Sequence, residues 1–460
     1  MAFSIKRKFY ESLPLSVKQG LCLIPFAWWA GKAYRETYQR GRWFDHASRE
    51  ELLAYQEGQL SKVLQFAVDQ VPAYEHLRRS VKRFKSFDAL KDFPILDKDT
   101  VQAKLADYLP REFNKIPHYE VTTGGTSGNQ LKLYLDDHSQ SIEMAFSNRF
   151  RGRMGYTPRC RTATFRGVSF HNLEPGVFWQ YNPIYSELQF SPFHMSEDNL
   201  LAYVKQFIRY RPEYLLGYPS AIDMLAEYVN RNGLSSQLPG VKAAFLCSEG
   251  CSAIQRHRIE EAFRTRVFSW YGQTERVVFA GECEKNSTYH HFPDYGILEI
   301  IDNGGHLCLR EGERGELVGT GLNNFCMPLV RYRTGDYGTR LESRCECGRN
   351  WERFTDVEGH RKQDIVYGHK GSKISVAALN MHGPLFKRVV RYQYFQENAG
   401  VCVLNIMAAP DFTPRDRLVI ERAYNDKVGD EIKFIVQTVP YIPLTARGKL
   451  QLLVSCYQRN

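Results

Sequence analysis

The segment from residue 162 to residue 270 constrains the fold more than any other. Short apolar runs at 162–167, 212–218, 243–247 and 266–270 alternate with segments of helical spacing at 197–210, 221–232 and 252–263. Turn residues separate them, as in Gly217-Tyr218-Pro219-Ser220 and Ser248-Glu249-Gly250. A repeated strand–turn–helix step predicts a parallel sheet covered by helices. Ligands of such sheets bind outside the carboxyl ends of the strands, where these glycine-bearing turns fall.

The flanks read differently. Leu52, Leu53, Leu60, Val63, Leu64, Ala67 and Val68 predict a helix over 50–71, ended by Pro72. Asp97 is placed to cap a helix from Lys98, and 139–154 reads as a further helix. Short strands with Gly and Asn turns at about 295–356 predict a small β subdomain, and 359–460 alternates strand and helix again. A chain of 460 residues is too long for one core. The expected class is α/β. A basic, aromatic arm at 1–50 precedes a large multi-sheet α/β domain at 51–358, and a small α/β domain closes the chain at 359–460.

The net charge of +10 is modest for this length, and residues 1–50 carry nine Lys/Arg against four Asp/Glu. No basic-aromatic stripe marks a nucleic-acid groove. The apolar run at 21–31 is shorter than the roughly 20 residues of a membrane span and is broken by Pro25. It reads as a buried segment, with peripheral membrane contact through the arm as the alternative. Eleven scattered cysteines and no cleavable signal pattern point to free thiols and a cytoplasmic setting.

Four stretches carry chemistry. Residues 121–132, V-T-T-G-G-T-S-G-N-Q-L-K, have little side chain to bury and many backbone N–H groups, which suits a nest for phosphate. Asn129 stands where a Walker A loop requires Lys, and the alternating residues 131–135 predict a strand, so the loop reads as a hairpin clamp. Tyr271-Gly272-Gln273-Thr274-Glu275 ends a strand with a ring for stacking, a hydroxyl donor and a hard oxygen ligand. Asp336, closing P-L-V-R-Y-R-T-G-D, suits the hydroxyls of a ribose. Lys449 lies on a glycine turn near the C-terminus. Singly, each is matched by a structural reading: a surface loop, a helix cap, a salt bridge and a solvated lysine.

In this order the four resemble the serial motifs of adenylate-forming enzymes. The R-Y-R-T-G-D form and the intervening G-Y-P-S resemble the phenylacetate–CoA ligase branch, with its CapK-like members. The resemblance runs from about residue 90 to the C-terminus. It implies a C-terminal domain that rotates and a reaction through an acyl-AMP, passed to coenzyme A, an amine or another acceptor. It assigns Thr122, Thr123, Gly124, Gly125, Thr126, Ser127, Gly128 and Lys132 to the phosphates of ATP. Ser248, Glu249, Gly250 and Tyr271 would hold adenine, with Gly272 and Gln273 in the same nucleotide site. Thr274 would meet the α-phosphate, Glu275 Mg²⁺, and Asp336 the ribose. Lys449 would bridge the substrate carboxylate and the α-phosphate.

Two departures stand out. Relatives open the lid with a Gly-Arg pair and a hinge acid two residues on; here His360 separates Gly359 from Arg361, and Gln363 takes the acid's place beside Asp364. The turn at 370–375 is also more basic than a pantetheine tunnel for coenzyme A calls for. A further cluster, Cys283, His290, Cys345 and Cys347, has the donors of a tetrahedral Zn²⁺ site, with His291 as the alternative imidazole. Some adenylate-forming relatives look similar here, which implies a structural zinc.

The expectation is an ATP-dependent ligase acting on a small-molecule carboxylate, its acyl pocket between Phe165 and Ser220 and including Phe170, His171 and Tyr218. The oligomeric state, a homodimer among the options, is left open. The alternative is a non-catalytic nucleotide-binding relative serving capsular polysaccharide synthesis. On the ligase reading, Gly128→Asp abolishes ATP–pyrophosphate exchange while the thermal unfolding midpoint stays at the wild-type value; full exchange in that variant would remove the loop from the site.

Overall fold

The computed structural model describes residues 10, 13, 15–21, 24–78, 86–123, 131–167, 170, 174, 176–359, 364–379, 381, 384–443 and 451–457. Helices α1 (Lys32–His46), α2 (Arg49–Gln70) and α3 (Lys98–Ala103) precede a hairpin of β1 (His118–Thr122) and β2 (Lys132–Asp136), then α4 (Ser139–Gly152). The alternating region follows as β3 (Thr162–Phe165), β4 (Trp179–Asn182), β5 (Glu187–Phe190), α5 (Glu197–Tyr210), β6 (Tyr214–Gly217), α6 (Pro219–Arg231), β7 (Ala243–Leu246), α7 (Ala253–Phe263) and β8 (Val267–Gly272). Strands β9 (Phe279–Glu282), β10 (Tyr289–His291), β11 (Gly296–Ile301), β12 (Arg314–Gly321), β13 (Tyr332–Leu341) and β14 (Arg353–Glu358) come next. The chain ends in β15 (Ile365–Tyr367), β16 (Lys373–Ser375), β17 (Val389–Gln396), β18 (Val401–Ala408), α8 (Pro414–Val428), β19 (Lys433–Thr438) and β20 (Leu453–Ser455).

Two compact units result. The first joins Met1–Thr123, Leu131–Thr157 and Phe268–His360; the second joins Gly124–Gln130, Pro158–Val267 and Arg361–Asn460.

In the first unit an antiparallel sheet runs β11–β12–β13–β14–β10–β9–β8. The strands expected of a β subdomain thus continue the sheet that holds β8 to β10. Helix α2 begins in a capping box, Ser48 with Glu51, and lays Leu60, Val63, Leu64, Ala67 and Val68 against Val277, Leu298, Ile300 and Leu317. Asp97 caps α3 by accepting from the Thr100 amide at 2.7 Å, as its position predicts. The hairpin pairs Thr122 with Lys132 in antiparallel register, as the clamp reading requires. The apolar run at 21–31 is only half absorbed: Phe26 and Ala30 are buried, while Ile24 and Trp28 are 42% and 71% exposed. Among the described residues no helix is long and apolar enough to cross a membrane.

One ion pair ties this unit together. Arg331 and Glu299 meet in a two-pronged, buried contact at 2.9 and 3.0 Å, and Arg331 also donates to the Phe93 carbonyl at 3.2 Å. The Leu96 amide donates to the Arg331 carbonyl, and the Arg333 amide returns a bond to the Leu96 carbonyl. The segment before α3 is thereby paired to the start of β13.

In the second unit β7–β6–β3–β5 are parallel and β4 closes the edge antiparallel. Helices α5, α6 and α7 cover it through Phe207, Ile222, Leu225, Val229, Ile259 and Phe263. Residues 389–455 form a second sheet, β19–β18–β17–β20, under α8, with the Tyr394 and Tyr424 hydroxyls 2.8 Å apart in its core.

Removing one partner of a buried ion pair leaves an uncompensated charge and costs about 3–5 kcal/mol. Glu299→Ala is expected to lower denaturant stability by about 3 kcal/mol. Glu299→Leu combined with Arg331→Met should recover most of that loss. Equal stability of the single mutant and wild type would overturn the assignment.

Candidate functional site

Strand β8 delivers Tyr271 and Gly272 at its end, and the next residues turn sharply, with Arg276 at φ +60°. With its amide oriented to suit, Gln273 donates to the Val278 carbonyl at 2.6 Å and accepts from the Val278 amide at 3.2 Å. It therefore pins the turn. Thr274 and Glu275 are presented on that turn, partly exposed.

Asp336 sits in a bulge of β13. Register jumps from Arg333 opposite Val318 to Tyr337 opposite Glu316, so Thr334, Gly335 and Asp336 together face Leu317. Each is anchored: the Thr334 hydroxyl donates to the Leu317 carbonyl at 2.7 Å, and the Gly335 amide to Glu316 Oε1 at 3.0 Å. The Asp336 amide donates to Thr334 Oγ1 at 3.1 Å. Gly335 has φ +76°, a conformation that disfavours a Cβ. Bulges re-aim side chains, and this one turns Asp336 toward β8. There the Tyr271 hydroxyl donates to Asp336 Oδ2 at 2.8 Å. Burial and then Asp336 push the Tyr271 phenol well above its ordinary range, so it stays a donor.

The arginines of the same motif are not partners of Asp336: Arg331 takes Glu299, and Arg333 takes Glu316 at 2.7 Å. Tyr332 instead reaches Glu275, its hydroxyl donating to Oε1 at 3.1 Å. Lys98, at the start of α3, adds positive charge near Glu275 while burial pulls its ammonium pKa down. Sequence reasoning did not single out Tyr332 or Lys98 for this site. A carboxylate held by a neutral hydroxyl keeps its charge for a hard cation, so Glu275 fits a Mg²⁺ ligand. Asp336, after accepting from Tyr271, retains acceptor capacity for ribose hydroxyls.

The other predicted residues are distributed as follows. Thr123 Oγ1 accepts from the Leu131 amide at 3.0 Å, and Thr122 Oγ1 is buried without a hydrogen-bond partner among the described residues. Lys132 pairs with Glu120 at 2.7 Å and lies over the Tyr134 ring. Ser248, at φ +67°, Glu249 and Gly250 follow β7 in the second unit. Glu249 Oε2 accepts from the Ser220 amide at 3.2 Å. Gly124, Gly125, Thr126, Ser127, Gly128, His171, Arg361 and Lys449 lie outside the described residues. Phe165, one bound of the expected pocket region, is fully buried and stacked on Phe190 at 4.8 Å.

Cys283, His290, Cys345 and Cys347 converge, their donor atoms all within 4.8 Å of one another. Cys283 Sγ is 3.6 Å from Cys345 Sγ, and Cys347 Sγ is 3.7 Å from His290 Nε2. Four ligands around zinc, with Zn–S of about 2.3 Å, would stand about 3.7 Å apart. The donor set fits. Amides support the sulfurs: the Lys285 amide lies 3.4 Å from Cys283 Sγ, and Asn286 Nδ2 lies 3.4 Å from Cys345 Sγ. Burial, with Arg153, Arg349 and Arg353 nearby, pushes the His290 imidazole down to about 2, which keeps it in the neutral, ligating form. His291, the alternative, faces the other side of β10, with ring nitrogens 2.8 Å from the Gly296 carbonyl and 3.2 Å from that of Phe279.

Comparison with known proteins adds context. No protein-family profile matches the chain. It is 23% identical over 376 residues to Protein CapK of Staphylococcus aureus, covering 80% of each chain. It is 26% identical over 335 residues to the phenylacetate–coenzyme A ligase of Thermus thermophilus, covering 69% of this chain and 72% of that one. Among solved structures, 2-hydroxyisobutyryl-CoA ligase in complex with 2-HIB-AMP and CoA superposes with a TM-score of 0.57 at 17% identity, over 90% of this chain and 91% of that one. At that identity the likeness is one of fold.

Proposed function

We propose that the chain, similar to Protein CapK and to phenylacetate–coenzyme A ligases, is an adenylate-forming ligase that activates a small carboxylic acid with ATP and passes the acyl group to coenzyme A. The observation that carries this reading is Asp336, aimed by a three-residue bulge at Tyr271, a phenol on which Glu275, the partner of Tyr332, also acts. A carboxylate oxygen of the acid attacks the α-phosphorus of ATP, the bond to the β-phosphate breaks, and pyrophosphate leaves. The thiol of coenzyme A then attacks the acyl carbonyl, loses its proton, and AMP leaves.

Two anions must meet in the first step, so alignment and charge neutralisation matter more than a nucleophilic side chain. On the first unit, Asp336 would hold the ribose, Thr274 the α-phosphate and Tyr271 the adenine ring. The glycine loop from Thr122 to Gly128 retains the leaving pyrophosphate, and Arg361 and Lys449 belong to the 359–460 lid. Glu275 would hold Mg²⁺, which when bound would supply further positive charge. Lys449 contacts the substrate carboxylate and the α-phosphate together. Cys283, His290, Cys345 and Cys347 would hold a structural zinc.

ATP–pyrophosphate exchange across a panel of acids tests the ligase, and Lys449→Ala is expected to lower the exchange rate by about 100-fold or more. Absence of exchange with every acid would favour a nucleotide-binding role without catalysis. For the metal, purified protein is expected to carry one equivalent of zinc. Cys345→Ser should lose it together with several degrees of thermal stability; metal-free protein of unaltered stability would remove the zinc from the account.

A further inference from the structure

Three neighbouring parallel strands of the second unit end in register: Phe165 opposite Gly217, and Gly217 opposite Leu246. Hydrogen bonds extend that register one residue further, from the Tyr218 amide to the Phe165 carbonyl at 2.9 Å and from the Cys247 amide to the Gly217 carbonyl at 3.1 Å. Arg166, Tyr218 and Cys247 therefore stand in a row just past the carboxyl ends of β3, β6 and β7. That edge is where open α/β sheets receive their ligands.

The row is mixed in character: Arg166 is exposed, Tyr218 half-buried and Cys247 buried. Among the described residues no carboxylate forms an ion pair with Arg166. Glu187, an acid that acts on it electrostatically, sits at the far end of β5, opposite Thr162. Glu249, on the turn after β7, is engaged with the Ser220 amide. A guanidinium on a ligand-binding edge is costly to cover with a neutral group and favourable to cover with an anion.

We propose that Arg166 selects an acyl substrate bearing a second anionic group, such as the distal carboxylate of a dicarboxylic acid. The inference rests on the ligase reading and adds the class of acid. One carboxylate is activated; the other meets Arg166, with Tyr218 alongside. A neutral aryl or alkyl acid would leave the guanidinium desolvated and unpaired, and that penalty is the source of discrimination.

The test uses full-length protein and acids matched in skeleton: adipate against hexanoate, and terephthalate against toluate. In ATP–pyrophosphate exchange the wild type is expected to favour the diacid of a pair. Arg166→Leu should lower the diacid-to-monoacid ratio of kcat/KM by about ten- to a hundredfold, with partial recovery in Arg166→Lys. An unchanged thermal midpoint certifies the fold of each variant. Wild-type preference for the monoacids, or a ratio insensitive to Arg166→Leu, overturns the inference while leaving the ligase standing. If no acid supports exchange, calorimetric binding decides: diacid binding lost in Arg166→Leu supports the anionic subsite without the ligase, and binding that is absent or unaffected overturns it.

Discussion

The contact between Arg331 and Glu299 is the constraint on which the first unit's candidate site depends. A guanidinium and a carboxylate buried together must satisfy each other, and Arg331 satisfies Glu299 with two bonds while spending a third on the Phe93 carbonyl. The backbone on both sides of Arg331 is then held by Leu96. Tyr332 is thereby aimed at Glu275, and the bulge that carries Asp336 begins at a defined point. Arg331 itself adopts φ +53°, a conformation that a non-glycine residue keeps only when its surroundings hold it there. The residue that reads as the motif's cation is in fact its anchor.

The alternating region was legible because its signals are local. Helix α5 spans Glu197–Tyr210, the bounds that helical spacing predicts. The cap at Asp97 could be read in the same way. The partners of Arg331, 32 and 238 residues away, could not, since no short-range pattern encodes a contact closed by the whole fold. Tyr332 and Lys98 escaped for the same reason. The choice between His290 and His291 needed strand geometry: adjacent residues on β10 face opposite sides, and only one of those sides holds the cysteines.

The two clusters of the first unit share a logic. Each gathers polar groups at the ends of antiparallel strands, where loops have freedom that the ladder lacks. Cys283 follows β9, His290 lies on β10, and Cys345 and Cys347 occupy the connection from β13 to β14. Asp336 is further up β13, and Tyr271 closes β8. One strand, β13, thus leads from Asp336 to the loop of the thiols.

The bulge has a consequence for how sequences of this kind can change. Between its flanking pairs β12 advances two residues and β13 four, so the excess is two, one full pleat. Side chains beyond it keep the faces they would have had in an uninterrupted ladder. An insertion or deletion of a single residue at 334–336 would invert the facing of Tyr337 to Leu341, whereas a change of two would preserve it. Drift in the length of this motif is accordingly restricted by parity, and variation should accumulate as substitution or as paired insertions and deletions.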